Sequence, residues 1–166
     1  MSKITLGGKP TNTNGELPSV GNAAPDFILT NAADMSEVSL KNYAGKNIVM
    51  NIFPSVDTGV CAASVRKFNA EASKLNNTVV LCISKDLPFA MKRFCGAEGL
   101  NNVVTLSDYR NKGFSKNYGV EITDGAFEAL DARAVVVVGA DGKIKHTELV
   151  PEIGQEPNYD AAIKVL

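Results

Sequence analysis

The chain has 166 residues, 45% of them hydrophobic and 21% charged, enough to bury a core and too apolar for a disordered chain. At roughly 150 residues per domain it reads as one domain, residues 1–166. Lys plus Arg total 17 against 18 for Asp plus Glu, and no basic run occurs, which argues against a nucleic-acid binder.

Gly, Pro, Asn and Thr crowd the N-terminal stretch as far as Pro25. Lys3–Leu6 and Lys9–Thr13 read as a hairpin around Gly7-Gly8, and Phe27–Thr30 as a short strand. Asn47–Phe53 has the mostly apolar pattern of a buried strand and is ended by Pro54. The period then changes. Val65, Phe68, Ala72 and Leu75 recur at helical spacing, which predicts a helix from Gly59 to Leu75. Asp57 or Thr58 is expected as its N-cap, the side chain accepting from a free amide of the first turn. Thr78–Ser84 reads as a second apolar strand. A short helix is expected from Pro88 to Cys95, closed by Gly96, then a strand at Val103–Leu106 and a helical turn at Phe114–Tyr118. Ala134–Val138 is the clearest strand, and Gly139–Gly142 turns it back into Lys143–Leu149. Pro157-Asn158 opens a last helix with Tyr159, Ala162, Ile163 and Leu166 on one face. This order predicts an α/β fold, a mixed sheet flanked by helices with an N-terminal β-hairpin extension.

No apolar run approaches the ~18 residues of a membrane span, and Met1–Pro10 lacks the apolar core of a secretory signal. A cytoplasmic protein is expected, with no membrane partner. Three cysteines are too few for a secreted disulfide framework, and in a reducing compartment a disulfide would be catalytic rather than structural. Cys61 falls in the first turn of the helix that follows a strand. The amides and positive dipole end there favour an anion, hence a thiolate. As a free cysteine it could equally be a small buried hydrophobe.

Pro54-Ser-Val-Asp-Thr58-Gly-Val-Cys61 fits P-x-x-x-T-x-x-C and resembles the active-site segment of peroxiredoxins. The longer string from Asn51 to Arg66, with Phe94-Cys95-Gly96 downstream, is similar to the atypical two-cysteine peroxiredoxins of the bacterial thiol peroxidase family. The similarity runs over nearly the whole chain. It implies a thioredoxin-like fold and reduction of alkyl hydroperoxides and hydrogen peroxide, in antioxidant defence, with thioredoxin as the reductant and a homodimer as the assembly. Cys61 matches the peroxidatic cysteine of that family, and Thr58 supplies a hydroxyl to the thiolate or the peroxide. Pro54 shields the site, and Arg133, just before the Ala134–Val138 strand, matches the active-site arginine. Cys95 matches the resolving cysteine, which would condense with a Cys61 sulfenic acid to an intrachain Cys61–Cys95 disulfide.

Taken alone, Thr58 reads as a helix cap, Pro54 as a strand terminator and Arg133 as a solvated strand-end charge. Cys82, between Leu81 and Ile83, reads as strand core with no catalytic role. His146 is the only histidine, and with no C-x-x-C pair a zinc site is not expected. No P-loop, G-x-G-x-x-G or G-x-S-x-G occurs, so nucleotide-binding and serine hydrolase readings have no anchor, and no cofactor is expected. Two other functions use the same cysteines. A thiol–disulfide oxidoreductase is disfavoured by the absence of a C-x-x-C pair. A redox-sensing binding protein, with the Cys61–Cys95 switch altering a partner surface, stays open.

Overall fold

The computed structural model describes residues 1–166. Lys3–Leu6 (β1) and Lys9–Asn12 (β2) pair antiparallel. Gly7 and Gly8 make their turn at φ 58° and 79°, the two positive values that a two-residue hairpin turn requires. Ile28–Asn31 (β3), Glu37–Ser39 (β4) and Asn47–Ile52 (β5) follow, then Gly59–Ala72 (α1), Thr78–Ser84 (β6) and Pro88–Glu98 (α2). Val104–Ser107 (β7), Phe114–Asn117 (α3), Ala134–Val138 (β8), Ile144–Leu149 (β9) and Tyr159–Lys164 (α4) complete the chain. The strands β3 to β9 form one sheet in the order β4-β3-β7-β6-β5-β8-β9. Its centre, β5-β6-β7, is parallel, and the outer pairings are antiparallel. With helices packed on it, this is the thioredoxin-like α/β fold, carrying the β1–β2 hairpin as an extension.

Both faces of the central strands are covered. Ile48, Met50, Ile52, Leu81, Ile83 and Val136 pack on one side with Phe27, Phe114 and Tyr118. Val49, Val80, Cys82, Val135 and Val137 pack on the other with Val65 and Phe68 of α1. Double coverage is why these strands read as unbroken apolar runs rather than alternating ones. Register then places the chemistry. Ile52 of β5 pairs with Ala134 of β8, so the end of β5 and the start of β8 coincide. The turn after Pro54 and the residue before Ala134 are thereby brought to the same edge of the sheet.

Two carboxyl groups finish inside the fold. Asp108 and Asp131 are 1% and 0% exposed. Burial pushes Asp108 up to about 6 from 3.8, the Lys85 cation partly offsetting it, and raises Asp131 well above its ordinary value, the more so for facing Asp108. The folded chain therefore keeps these protons to higher pH than the unfolded chain does. For Asp108 the stabilising contribution is complete below the unfolded value and is lost as pH rises through about 6. Asp124 and Glu152 are shifted the opposite way, so the test is a difference. Between roughly pH 4 and 7, Asp108→Asn should gain on the wild type by up to about 3 kcal/mol, read from thermal melts at stepped pH. Parallel profiles would exonerate Asp108.

Candidate active site

Cys61, fully buried, is the third residue of α1. Its Sγ lies 3.1 Å from Nη2 of Arg133, which donates to it. Arg133 is 2% exposed; its Nε donates to the Ile153 carbonyl at 2.7 Å, and its Nη1 has no partner. Two bonds fix the plane of the guanidinium. A buried cation is costly unless a counter-charge faces it, and the group it faces is the sulfur that can become a thiolate. The charge that sequence alone would leave in solvent is inside.

Thr58 stands at the N-cap, but its side chain does not cap the helix. Its hydroxyl donates instead to the Ser55 carbonyl at 3.0 Å, while its own carbonyl takes the Ala62 amide at 3.0 Å. The expected side-chain cap, from Thr58 or Asp57, is therefore absent: the Thr58 proton is spent within the turn. The hydroxyl keeps acceptor capacity, since one oxygen carries two lone pairs. Pro54 is buried at the end of β5. Thr58 and Arg133 line a cavity of about 140 Å³ together with Leu6, Val60, Phe127 and Ile153. Cys61 is not among the residues that line it and meets it through Arg133.

One residue that sequence reasoning missed builds the turn. The Asp86 carboxylate accepts from the Ser55 hydroxyl at 2.7 Å, the Val56 amide at 2.8 Å and the Ser84 hydroxyl. Ser55 in turn takes the Asp57 amide at 3.1 Å. Asp86 thus ties the segment between Pro54 and Thr58 to the end of β6 and the start of α2. An aspartate just past a strand carries no local signal for this, because the turn residues it holds, Ser55 and Val56, are thirty residues or more upstream.

Cys95 is not with the others. It lies in α2, half-buried, beside a groove of about 360 Å³ that Asn31, Lys92, Gly96 and Thr105 help to line. Burial pushes its thiol up, partly offset by a hydrogen bond with Thr105. The helix does not close at Gly96. It continues to Glu98 and stops at Gly99, the residue with φ 67°, because a glycine inside a helix costs only about 1 kcal/mol. Thr105 of β7 pairs with Cys82 of β6, and Cys82 with Asn51 of β5. Cys61 faces the start of β8, beyond β5. From β7 to β8 there are three strand spacings, about 14 Å. Cys82 is wholly buried, its thiol pushed up to about 12 by burial, with the Asn51 amide nitrogen 3.8 Å away. All three cysteines are free. No group of three or more His, Cys, Asp or Glu has metal-binding geometry.

The arrangement of thiol, fixed guanidinium, hydroxyl and small apolar cavity suits attack by sulfur on a substrate that gains negative charge as a bond breaks. Comparison with known proteins agrees. The Redoxin family model matches residues 19–163. Thiol peroxidases of Mycobacterium bovis and Mycobacterium tuberculosis are each 56% identical over 166 residues, covering 100% of this chain and 99% of the relative. The crystal structure of a peroxiredoxin-like protein from Aquifex aeolicus superposes with a TM-score of 0.92 at 37% identity, covering 99% of this chain and 96% of that one. A thiol peroxidase from Chromobacterium violaceum, at 21% identity and a TM-score of 0.89 over 98% and 93%, shares the fold. The chain belongs to the Redoxin family. Within it, the chain is an enzyme of the thiol peroxidase kind, reducing peroxide at the expense of a thiol.

Proposed function

We propose that the chain is a single-domain, cytoplasmic enzyme, recycled by thioredoxin, that reduces alkyl hydroperoxides and hydrogen peroxide at Cys61. The Cys61 thiolate attacks one peroxide oxygen, the O–O bond breaks, and the other oxygen leaves as alcohol or water after taking a proton. Cys61 is left as a sulfenic acid. The Cys95 thiol condenses with it, water departs, and a Cys61–Cys95 disulfide forms. Thioredoxin reduces that bond by dithiol exchange. Arg133 balances the thiolate and donates to the departing oxygen, Thr58 holds the peroxide, and Pro54 keeps water off the sulfur. Arg133 Nη2 at 3.1 Å from a buried Cys61 Sγ is the observation that carries this reading. The apolar cavity walls of Leu6, Val60, Phe127 and Ile153 support an organic peroxide. Leu87 and Phe89, 54% and 68% exposed beside the Asp86 turn, support a homodimer across that face.

The test is peroxide-dependent consumption of NADPH with thioredoxin and thioredoxin reductase. Sustained turnover is expected. Oxidation of one equivalent without turnover would favour the redox-sensing alternative, and no oxidation would defeat both.

Resolution requires local unfolding on this reading. A disulfide needs Cα atoms within about 7 Å, half the lateral spacing between the strands beside which the two cysteines lie. The exposed C-terminal end of α2, with Gly96 and Gly99, is the inexpensive place to unwind. Cys95→Ser should consume one equivalent of peroxide per chain and then stall, open to further oxidation, as mass spectrometry of Cys61 would record. Amide exchange across α2 should rise in the oxidised wild type. Identical exchange in both redox states would remove the unfolding step.

A further inference from the structure

Two carboxylates far along the chain hold the N-terminal hairpin: Asp124 takes Thr11 and Asn12 of β2, and Glu152 takes the turn. Glu152 accepts from the Gly7 amide at 2.9 Å, the Gly8 amide at 3.1 Å and the Thr5 hydroxyl, and from Gly154 in its own loop at 3.2 Å. The consecutive positive φ values of Gly7 and Gly8 aim both N–H groups at one anion, a concavity that backbone turns form for anions. These donors hold the Glu152 carboxyl at about 2, so it is fully ionised at neutral pH. Around it the Thr5 amide donates to Pro151 at 2.8 Å and the Ile153 amide to Thr5 at 2.9 Å. The segment Glu152–Gly154 therefore has the hairpin on one side and, through the Ile153 carbonyl, Arg133 on the other. Leu6, next to the clasped glycines, lines the cavity in front of Thr58 and Arg133.

We propose that Glu152 is a positioning residue for substrate choice: it seats the β1–β2 turn so that Leu6 covers the cavity and contacts the organic group of a hydroperoxide. The inference rests on the peroxidase reading above. Hydrogen peroxide has no organic group and gains nothing from that cover. Replacing Glu152 by Gln keeps the size but sets an NH2 against backbone donors, loosening the turn while the Thr5 backbone pairs keep the hairpin attached.

The experiment is the single-turnover rate of Cys61 oxidation by cumene hydroperoxide and by hydrogen peroxide, in wild type, Glu152→Gln and Leu6→Ala. The cumene hydroperoxide rate should fall about tenfold in both variants, with hydrogen peroxide kept within about twofold in Glu152→Gln, the scale of discrimination an apolar contact supplies. Amide exchange at Gly7 and Gly8 should accelerate in Glu152→Gln. Equal loss for both peroxides, an unchanged ratio, or unchanged exchange at the two glycines would overturn the assignment. Should Glu152→Gln not fold, Thr5→Val, which removes one hydroxyl donor, should shift the same ratio by about threefold. A wild type that reduces neither peroxide would defeat the peroxidase reading instead, and the exchange at Gly7 and Gly8 would then decide whether Glu152 holds the turn.

Discussion

Replacing Cys61 by Ser should reduce peroxide turnover to background, whereas Cys82→Ser should keep most of it. A serine hydroxyl at neutral pH offers neither a charged nucleophile nor an atom that can pass through a sulfenic acid, so no other residue can take over the step. Cys61 meets both needs: it faces a cation at 3.1 Å and stands in the first turn of α1, where free amides favour negative charge. Cys82 meets neither. Its thiol is pushed up to about 12 by burial, which keeps it protonated at neutral pH, and its neighbours are strand core. A serine there buries a hydroxyl, which costs about 1–3 kcal/mol unless paired, and the Asn51 amide is placed to pair with it. Whatever cost that pairing leaves should appear as a lower Tm with turnover preserved. Initial rates of peroxide loss in the two variants check this, and equal loss in both would defeat the assignment.

What could be read from sequence follows from how local the cause is. β5, β6 and β8 are legible because both their faces are buried, which writes an apolar run into each. The hairpin is legible because a two-residue turn with two positive φ values calls for the Gly7-Gly8 pair. β4 is not, since three residues with one buried side chain, Val38, show no period. The end of α2 misleads because Gly96 and Gly99 look alike in sequence, and only the second adopts the left-handed conformation. Cys61 and Thr58 share one turn, so a motif finds both. Arg133 joins them only through the Ile52–Ala134 register, a property of the whole sheet, and only family resemblance supplies it beforehand. Asp86 and Glu152 act on segments remote in sequence and leave no mark that a single sequence displays.

Arg133→Met should slow the reaction of Cys61 with peroxide by about 10²–10³-fold, or about 2.7–4 kcal/mol, the range found when one preorganised oxyanion donor is removed. Methionine fills much of the volume and keeps the aliphatic contacts, so the change falls mainly on charge and hydrogen bonding. Three things go with the guanidinium: the bond to Cys61 Sγ, the bond to the Ile153 carbonyl, and the free Nη1. On the proposed mechanism the first supports Cys61 as the nucleophile, so alkylation by iodoacetamide should slow as well, a readout that needs no peroxide. Nη1, which has no partner within the protein, is the donor that the proposed mechanism assigns to the departing oxygen, and its loss should slow oxidation more than alkylation. The difference between the two losses separates transition-state stabilisation from simple thiolate formation. The Ile153 bond holds the loop as well as the guanidinium, and its absence should appear in Tm. Arg133→Lys divides the case further, restoring positive charge without the planar fork. It should recover much of the alkylation rate and little of the peroxide rate, because one ammonium on a flexible stem cannot face sulfur, carbonyl and leaving oxygen at once. Full recovery of both by lysine would reduce Arg133 to a point charge, and an unchanged rate in Arg133→Met would mean that the guanidinium does not serve the chemistry.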